Sequence, residues 1–359
     1  ASKVTIGGYV ETYYSYDFNN PSNRLTNYRA FDNRHNAITL QNLVLDVAWE
    51  FGTVYARGAL QAGQVGETYY DLSEPSQAGS AGAGPSGADV FKHIQQAYLG
   101  WAPTKRLHLE AGIFLSPIGP ESMPTHENWT WSHTNLFFGL PFYHSGARVS
   151  YDVAPTQNVR FGIYNGWNNV IDNNDEKSIA LEYSFTPSDA LAFGVQYFGG
   201  VERPAGAPEG RAWRHLLDAS AKVKLTKRFA FLADVDGGLE PNYFGKSAWI
   251  SGILGARFRA ASWLYFAGRQ TIFAERRASR AGEIAAPIAI PTPWMSGTTA
   301  TIDFRPVDHL SAKLEYRHDL ADGSIYYRSV VAGDGSAANP FVGNARSQDT
   351  LTLGLTAWF

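Results

Sequence analysis

The chain has 359 residues and a formal net charge of −3, and it contains no cysteine. This charge balance supplies no basic field for nucleic acid, and the lack of cysteine excludes disulfides, zinc ribbons and thiol nucleophiles. Hydrophobic residues make up 44% of the chain, yet no apolar run approaches the roughly eighteen residues of a membrane-spanning helix, which excludes a helical membrane protein. The aromatic share of 14% suits a barrel with aromatic belts at both membrane interfaces.

Apolar and polar residues alternate with a period of two along the chain and predict about sixteen β-strands. In residues 107–115, leucine, alanine and isoleucine share one face, while His108 and Glu110 share the other; residues 310–317 divide in the same way. A soluble sheet can also alternate, but its apolar face needs a cover, and no segment has the pattern of one. A closed barrel in lipid pairs its backbone groups without a cover. The pattern therefore predicts an all-β, closed antiparallel transmembrane barrel.

The connections between these strands alternate between short turns and long polar loops. Outer-membrane barrels have this asymmetry, whereas a sandwich or a propeller has no reason to sort its loops by length. The alternation predicts sixteen strands in a single domain over residues 1–359, with both chain ends on the short-turn side. Fourteen or eighteen strands stay open, because residues 324–331 could pair as a further strand. The short turns lie at 51–53, 102–104, 154–156, 186–188, 226–227, 260–261 and 305–307, and the long loops at 17–35, 64–90, 116–141, 167–175, 202–210, 239–245, 276–291 and 320–346.

The third loop, at about residues 116–141, is unusually apolar for an exposed segment. Because Met123, Trp131 and Phe137 gain free energy from burial, this loop is expected to fold inward against the barrel wall. It would there form a constriction, with acidic loop residues opposite basic wall residues. The predicted constriction residues are Glu121, His126 and Glu127 in the loop and Arg57, Arg148 and Arg160 on the wall.

The polar strand faces are expected to line the lumen, and their basic and acidic residues are nearly balanced. A barrel of sixteen strands is too wide for side chains to fill and encloses an aqueous channel. Two interpretations stay open: the charges solvate the lumen and pair with neighbours, or basic wall residues face an acidic constriction and create a transverse field. The predicted pore-wall residues are Glu110, Lys222, Lys224, Asp234, Arg257, Arg269, Lys313, Glu315 and Arg317.

Metal-binding signals are weak, and no cofactor is expected. His126, Glu127 and His133 could bind a metal, but three such residues in one loop are common. Residues 172–176 could hold calcium through oxygen ligands, although a solvated loop with Asx turns is favoured. The glycine-rich tip at 79–87 lacks the Lys-Ser/Thr ending of a phosphate loop.

The last strand, residues 350–359, alternates regularly and ends on Phe359. It resembles the terminal strand of bacterial outer-membrane barrels, in which the final phenylalanine is part of the signal read by the assembly machinery. Residues 117–148 resemble the equivalent stretch of the OmpL-like β-barrel porins. The resemblance implies passive diffusion of small hydrophilic solutes or ions and supplies no particular substrate.

The expected location is the bacterial outer membrane, with membrane lipid, lipopolysaccharide and the barrel assembly machinery as partners. The chain opens at Ala1-Ser2-Lys3 without a basic, apolar leader and is expected to be a mature exported chain. A homotrimer is common among barrels of this size, but no outward patch of small residues decides the oligomeric state.

Three other functions stay open. Inward Tyr9, Tyr13, Tyr55 and Tyr98 could stack on sugars and make the channel substrate-selective. An enzyme is not expected, because the strand histidines are scattered and no nucleophile elbow or paired-acid motif occurs. An adhesion barrel would instead bind another cell or protein through its loops.

Overall fold

The computed structural model describes residues 2–70, 89–336 and 338–359, and the glycine-rich tip predicted at 79–87 lies outside them. Within these ranges, sixteen antiparallel strands close into one barrel, which confirms the predicted fold class. The strands are β1 Lys3–Asp17, β2 Ala37–Phe51, β3 Val54–Ala62, β4 Ile94–Trp101, β5 Leu107–Leu115, β6 Tyr143–Ala154, β7 Gln157–Tyr164, β8 Ser178–Ser188, β9 Leu191–Val201, β10 Trp213–Lys224, β11 Phe229–Asn242, β12 Gly245–Ala261, β13 Leu264–Arg276, β14 Ser279–Arg280, β15 Glu283–Ile284, β16 Trp294–Phe304, β17 Leu310–Ala321 and β18 Ser347–Trp358.

Sixteen of these strands form the barrel, while β14 and β15 form a small hairpin in the connection between β13 and β16. The barrel closes where the last strand pairs with the first, from Tyr9 opposite Trp358 to Asp17 opposite Thr350. Residues 324–331 contribute only an isolated bridge at Tyr326 to the described part of the chain, so they add no strand to the barrel.

The sixth long-side connection differs from the prediction. Residues 239–245 were expected to form a long loop, but β11 and β12 pair up to Asn242 opposite Gly245, which leaves a turn of two residues. Pro241 lacks an amide hydrogen and normally interrupts a strand. It is tolerated because β10 pairs with β11 only as far as Leu239, so no neighbour on that side requires a donor from Pro241.

The strand faces divide as the alternation predicts. In β18, Leu351, Leu353 and Leu355 point outward and are 41–47% exposed, whereas Thr352 and Thr356 point inward and are at most 2% exposed. Outward apolar side chains are similarly exposed along the other barrel strands, so the described chain provides no cover for this face. This pattern contradicts a soluble sheet and has the character of a lipid-facing surface.

The helices are few and short. The α-helix α1 spans Gln64–Tyr70, and 3₁₀ helices span Asp89–His93, Thr125–Glu127 and Asn135–Gly139. Among the described residues, no helix is long and apolar enough to cross a membrane.

Several long loops fold into the barrel rather than extending away from it. They form one apolar cluster together with inward wall residues such as Trp249 and Phe273. Burial of this apolar surface stabilises the folded loops and narrows the space available inside the barrel. Representative loop residues in the cluster are Phe31, Val65, Phe137, Trp167, Ile290 and Tyr326.

Candidate pore constriction

The third loop, residues 116–142 in the structure, lies inside the barrel against the inward faces of β1, β13 and β17. Its first anchor is Glu11 on β1, whose side chain is buried. The Glu11 carboxylate accepts hydrogen bonds from the Thr125 amide at 2.6 Å and from the Thr125 hydroxyl at 2.7 Å. Charge-assisted bonds are stronger than bonds between neutral groups, so Glu11 holds the start of the short helix Thr125–Glu127.

Lys313 on β17 is the second anchor and is 1% exposed. Its ammonium group donates to three carbonyl oxygens of the loop, at 2.5 to 3.2 Å. These oxygens belong to Thr125, Asn128 and Thr130. An ammonium group has three donors, so Lys313 uses its full capacity on the loop backbone.

Glu315, two residues further along the inward face of β17, is the third anchor. Its carboxylate accepts from the backbone amides of Trp131 at 2.5 Å and Ser132 at 3.1 Å, and also from the Thr301 hydroxyl at 2.9 Å. Lys313 and Glu315 therefore bind the carbonyls and the amides of the same loop segment, which fixes the path of its backbone.

Two arginines complete the anchoring. Arg269 on β13 donates to the Glu121 carboxylate and to the Ser132 carbonyl oxygen, both at 2.7 Å. Arg317 on β17 donates to the His133 carbonyl oxygen at 2.6 Å. The guanidinium group presents several donors in a fixed geometry, which suits it to binding a folded backbone at more than one point.

Four predicted pore-wall residues therefore have a role that the sequence does not reveal. Arg269, Lys313, Glu315 and Arg317 face inward, as predicted, but they are at most 6% exposed beneath the third loop. The prediction that they line open water is wrong. A loop inside a barrel has backbone groups that need partners, and these side chains supply them.

The basic residues predicted to face the constriction have acidic partners on the wall. Glu121 pairs with Arg269 rather than with any of these three arginines. Cross-strand pairing holds each arginine near the wall and offsets its charge. The pairs are Arg57 with Asp46, Arg148 with Glu110 at 2.6 Å, and Arg160 with Glu182 at 2.7 Å.

A cavity of about 810 Å³ lies between the third loop and the wall formed by β1 to β4. His126 is stacked on the Trp358 ring at its edge, with ring centroids 4.3 Å apart. All three predicted loop residues and Arg57 line this cavity, whereas Arg148 and Arg160 do not. Its polar lining includes Glu121, His126 and Glu127 from the loop and Asp46, Tyr55, Arg57 and Tyr98 from the wall.

The family described as "Putative beta-barrel porin-2, OmpL-like" matches residues 3–359. The chain belongs to this family. The resemblance inferred from residues 117–148 and the terminal strand is thereby confirmed, and the porin is an outer-membrane channel for solute diffusion. No curated protein sequence matches it.

Solved porins share the fold of this porin at low sequence identity. OmpT of Vibrio cholerae matches with a TM-score of 0.61 and 10% identity, covering 100% of this chain and 98% of that chain. The outer-membrane channel DcaP of Acinetobacter baumannii matches with a TM-score of 0.59 and 11% identity, again covering 100% of this chain and 98% of that chain. An anion-selective porin from Comamonas acidovorans matches with a TM-score of 0.61 and 12% identity, and 100% of both chains is covered.

Three predicted pore-wall cations, and Arg259 beside them on β12, have no ion-pair partner within the described part of the porin. We call Lys222, Lys224, Arg257 and Arg259, which lie on β10 and β12, the basic strip. Trp129 of the third loop lies against two of them, with its ring centroid 5.8 Å from the Lys222 ammonium and 5.2 Å from the Arg257 guanidinium. The basic strip therefore carries positive charge that no ion pair in the described chain neutralises, although Asp303 on β16 lies near Arg257 and partly offsets it.

The tyrosines considered for sugar stacking are only partly available. Tyr13 is 2% exposed and packs beside Trp131, so it cannot offer a ring face to a solute. Tyr9 is also buried, and its hydroxyl accepts from the Gln95 amide at 2.7 Å. Tyr55 and Tyr98 line the cavity.

The histidines of the third loop do not form a metal site. Burial lowers the pKa of His133, so its imidazole is neutral and its Nε2 donates to the Ser122 carbonyl oxygen at 3.0 Å. His126 is stacked on Trp358 instead. In the described ranges, the group of side chains that could hold a metal lies elsewhere, on β10 and β11.

Glu11 and Arg305 also contact the third loop, and neither was among the residues predicted for the constriction or the pore wall. Arg305 donates a hydrogen bond to the His126 carbonyl oxygen at 2.8 Å. Glu11 accepts a hydrogen bond from the Thr125 amide, as described above. The one signal in the sequence is that Glu11 lies between tyrosines in the middle of the inward face of β1, whereas the other inward acid, Asp17, ends the strand. An isolated inward carboxylate of this kind needs a donor, and the loop provides it.

Proposed function

We propose that solutes cross this porin between the third loop and the wall formed by β1 to β4, and that the third loop sets their size limit. The observation that supports this proposal is the cavity of about 810 Å³, which has loop residues on one side and wall residues on the other. Its lining alternates charged and aromatic groups, which suits small hydrophilic solutes. The anchors at Lys313 and Glu315 hold the loop backbone in place, so the passage keeps a defined width.

We also propose that the basic strip, which lies outside the lining of this cavity on β10 and β12, draws anions into the lumen beside the third loop. Glu127 is exposed on the third loop, whereas Lys222 and Arg257 lie on the barrel wall beside Trp129. Acidic and basic groups on different sides of a narrow aqueous space create a transverse field, and the unpaired cations outnumber the unpaired loop carboxylate. Long-range attraction of anions follows, and salt weakens it.

Replacing two residues of the basic strip tests this preference. We expect Lys222→Gln/Arg257→Gln to lower the permeability of chloride relative to potassium by a factor of a few, because two of the four unpaired cations are lost. The measurement is the reversal potential in planar bilayers under a salt gradient. Lys246→Gln, at the exposed far end of the strand that carries Arg257, is the control. Equal reversal potentials in all three proteins would exclude a role for the strip.

We also propose partners for the porin. A homotrimer is supported by the trimer form of OmpT of Vibrio cholerae, which has a TM-score of 0.60 to this chain. Light scattering of the detergent-solubilised porin distinguishes a trimer from a monomer. Membrane lipid and lipopolysaccharide around the apolar band, and recognition of Phe359 by the assembly machinery, stay predictions.

Sugar selectivity is a weaker second candidate, supported by Tyr55 and Tyr98 in the cavity lining. Tyr9 also borders the cavity but is largely buried, and Tyr13 does not line the cavity. The family and fold are those of a channel, and no observation favours catalysis or adhesion.

A further inference from the structure

Three aspartates on β10 and β11 point into the barrel as one cluster. Asp218 lies opposite Asp236 in the strand register, and Asp234 lies two residues along β11. Each offers a carboxylate oxygen within 4.8 Å of the others. The side chains are 0%, 1% and 5% exposed for Asp218, Asp236 and Asp234, so water does not solvate their charges.

No basic residue offsets these charges. In the described part of the chain, none of the three forms an ion pair, and all four carboxylate oxygens of Asp218 and Asp234 lack a hydrogen-bond partner. Asp236 accepts from the Trp249 indole at 3.1 Å and from the Ser251 hydroxyl, and the Gly119 backbone amide of the third loop lies near Asp218.

Other buried carboxylates of the barrel have hydrogen-bond donors. The Glu240 carboxylate accepts from Arg203 at 3.0 Å and from Arg214 at 2.7 Å. Glu315 accepts three hydrogen bonds and lies beneath the loop that supplies two of them. Burying a carboxylate without such partners is energetically unfavourable. The aspartate cluster therefore lacks the donors or cations that a buried negative charge needs.

An independent observation on the neighbouring strand points to a ligand. Gln196 on β9 lies directly opposite Asp218, on the same inward face. It is 9% exposed, and its side-chain carbonyl oxygen has no hydrogen-bond partner either. The strand register therefore brings a further buried acceptor without a hydrogen-bond partner, on β9, next to the aspartates of β10 and β11.

We infer that Asp218, Asp234 and Asp236 bind a divalent cation of the calcium type, with the Gln196 carbonyl oxygen as a further ligand. Such cations take six to eight oxygen ligands in flexible geometry and complete their shell with water. A divalent cation here would offset two of the three negative charges, which otherwise repel one another across adjacent strands. Glu121 of the third loop lies near Asp234, so the cation would also reduce the negative charge beneath the loop.

Terbium luminescence tests this site directly. Tb³⁺ replaces calcium at oxygen sites and emits when a nearby tryptophan is excited, and Trp249 is in direct contact with Asp236. The porin is refolded into detergent without lipopolysaccharide, which itself binds divalent cations, and is stripped with EDTA. We expect a saturable signal that calcium displaces.

The variant Asp218→Asn/Asp234→Asn keeps the side-chain shape and removes two charges. We expect it to bind Tb³⁺ at least about tenfold more weakly, as loss of metal contacts usually does. The control Asp189→Asn/Asp308→Asn changes two exposed acids in short turns and should bind like the wild type. Equal Tb³⁺ affinity in both variants would overturn the inference.

A second measurement keeps the proposal testable if the variant does not fold. Calcium should raise the melting temperature of the EDTA-treated wild-type porin, because a ligand that binds only the folded state stabilises it. An unchanged melting temperature and no saturable Tb³⁺ signal would show that the aspartates share protons instead. Conductance plays no part in these readouts, so the result is independent of the proposed passage.

Discussion

Excision of residues 120–135 should raise the single-channel conductance of the porin severalfold in planar bilayers. These residues contribute to the loop side of the 810 Å³ cavity and lie inside the barrel against β1, β13 and β17. A barrel of sixteen strands without an inward loop encloses a wide aqueous channel, so removal of the loop widens the path at its narrowest point. Bridging Gly119 and Leu136 with a short glycine-serine linker keeps the barrel closed.

The matched control is excision of residues 279–284, which form the small hairpin β14–β15 outside the lumen. This deletion removes an exposed piece of a long loop and should leave the conductance near the wild-type value. If excision of 120–135 changed the conductance no more than the control does, the third loop would not be the constriction.

Lys313→Met should destabilise the folded third loop by about 3 to 5 kcal/mol, the usual cost of removing one partner from a buried charged network. Three loop carbonyl oxygens lose their shared donor, while Glu11 and Glu315 remain buried nearby. The expected results are faster protease cleavage within the third loop and noisier open-channel current. Both follow from a loop that leaves its anchors more often.

Lys224→Met is the control for this variant. It removes the same side chain from an inward position that is exposed and has no contact with the third loop. Protease sensitivity should therefore stay at the wild-type level. Similar cleavage rates in the two variants would mean that Lys313 does not anchor the loop.

Most of the fold could be predicted from the sequence because a barrel strand has only two faces. The alternation at residues 350–359 reports its lipid face and its lumen face directly, and the structure has Leu351 outside and Thr352 inside. Connection lengths then fix the strand count. The alternation wrongly predicted a long loop at residues 239–245, because the sequence does not show that β11 continues to pair with β12 beyond Leu239, where its pairing with β10 stops.

The candidate site was predictable only in part. The apolar character of the third loop predicted its inward fold, and Trp131 is indeed 1% exposed. The partner of each charge was not predictable, because pairing depends on cross-strand register and on the path of the loop. Arg269 and Lys222 are equivalent in the sequence pattern, yet Arg269 binds Glu121 while Lys222 has no ion pair in the described chain.

Cysteine modification is the most direct test of the proposed passage, because the chain contains no cysteine. Glu127→Cys places a single thiol on the loop side of the cavity, and Glu283→Cys places one on the hairpin outside it. A bulky methanethiosulfonate reagent is added while single-channel current is recorded in a planar bilayer. The account predicts that the current through Glu127→Cys falls in a clear step and that the current through Glu283→Cys does not change. Complete modification of Glu127→Cys, verified by mass spectrometry, with undiminished current would contradict it.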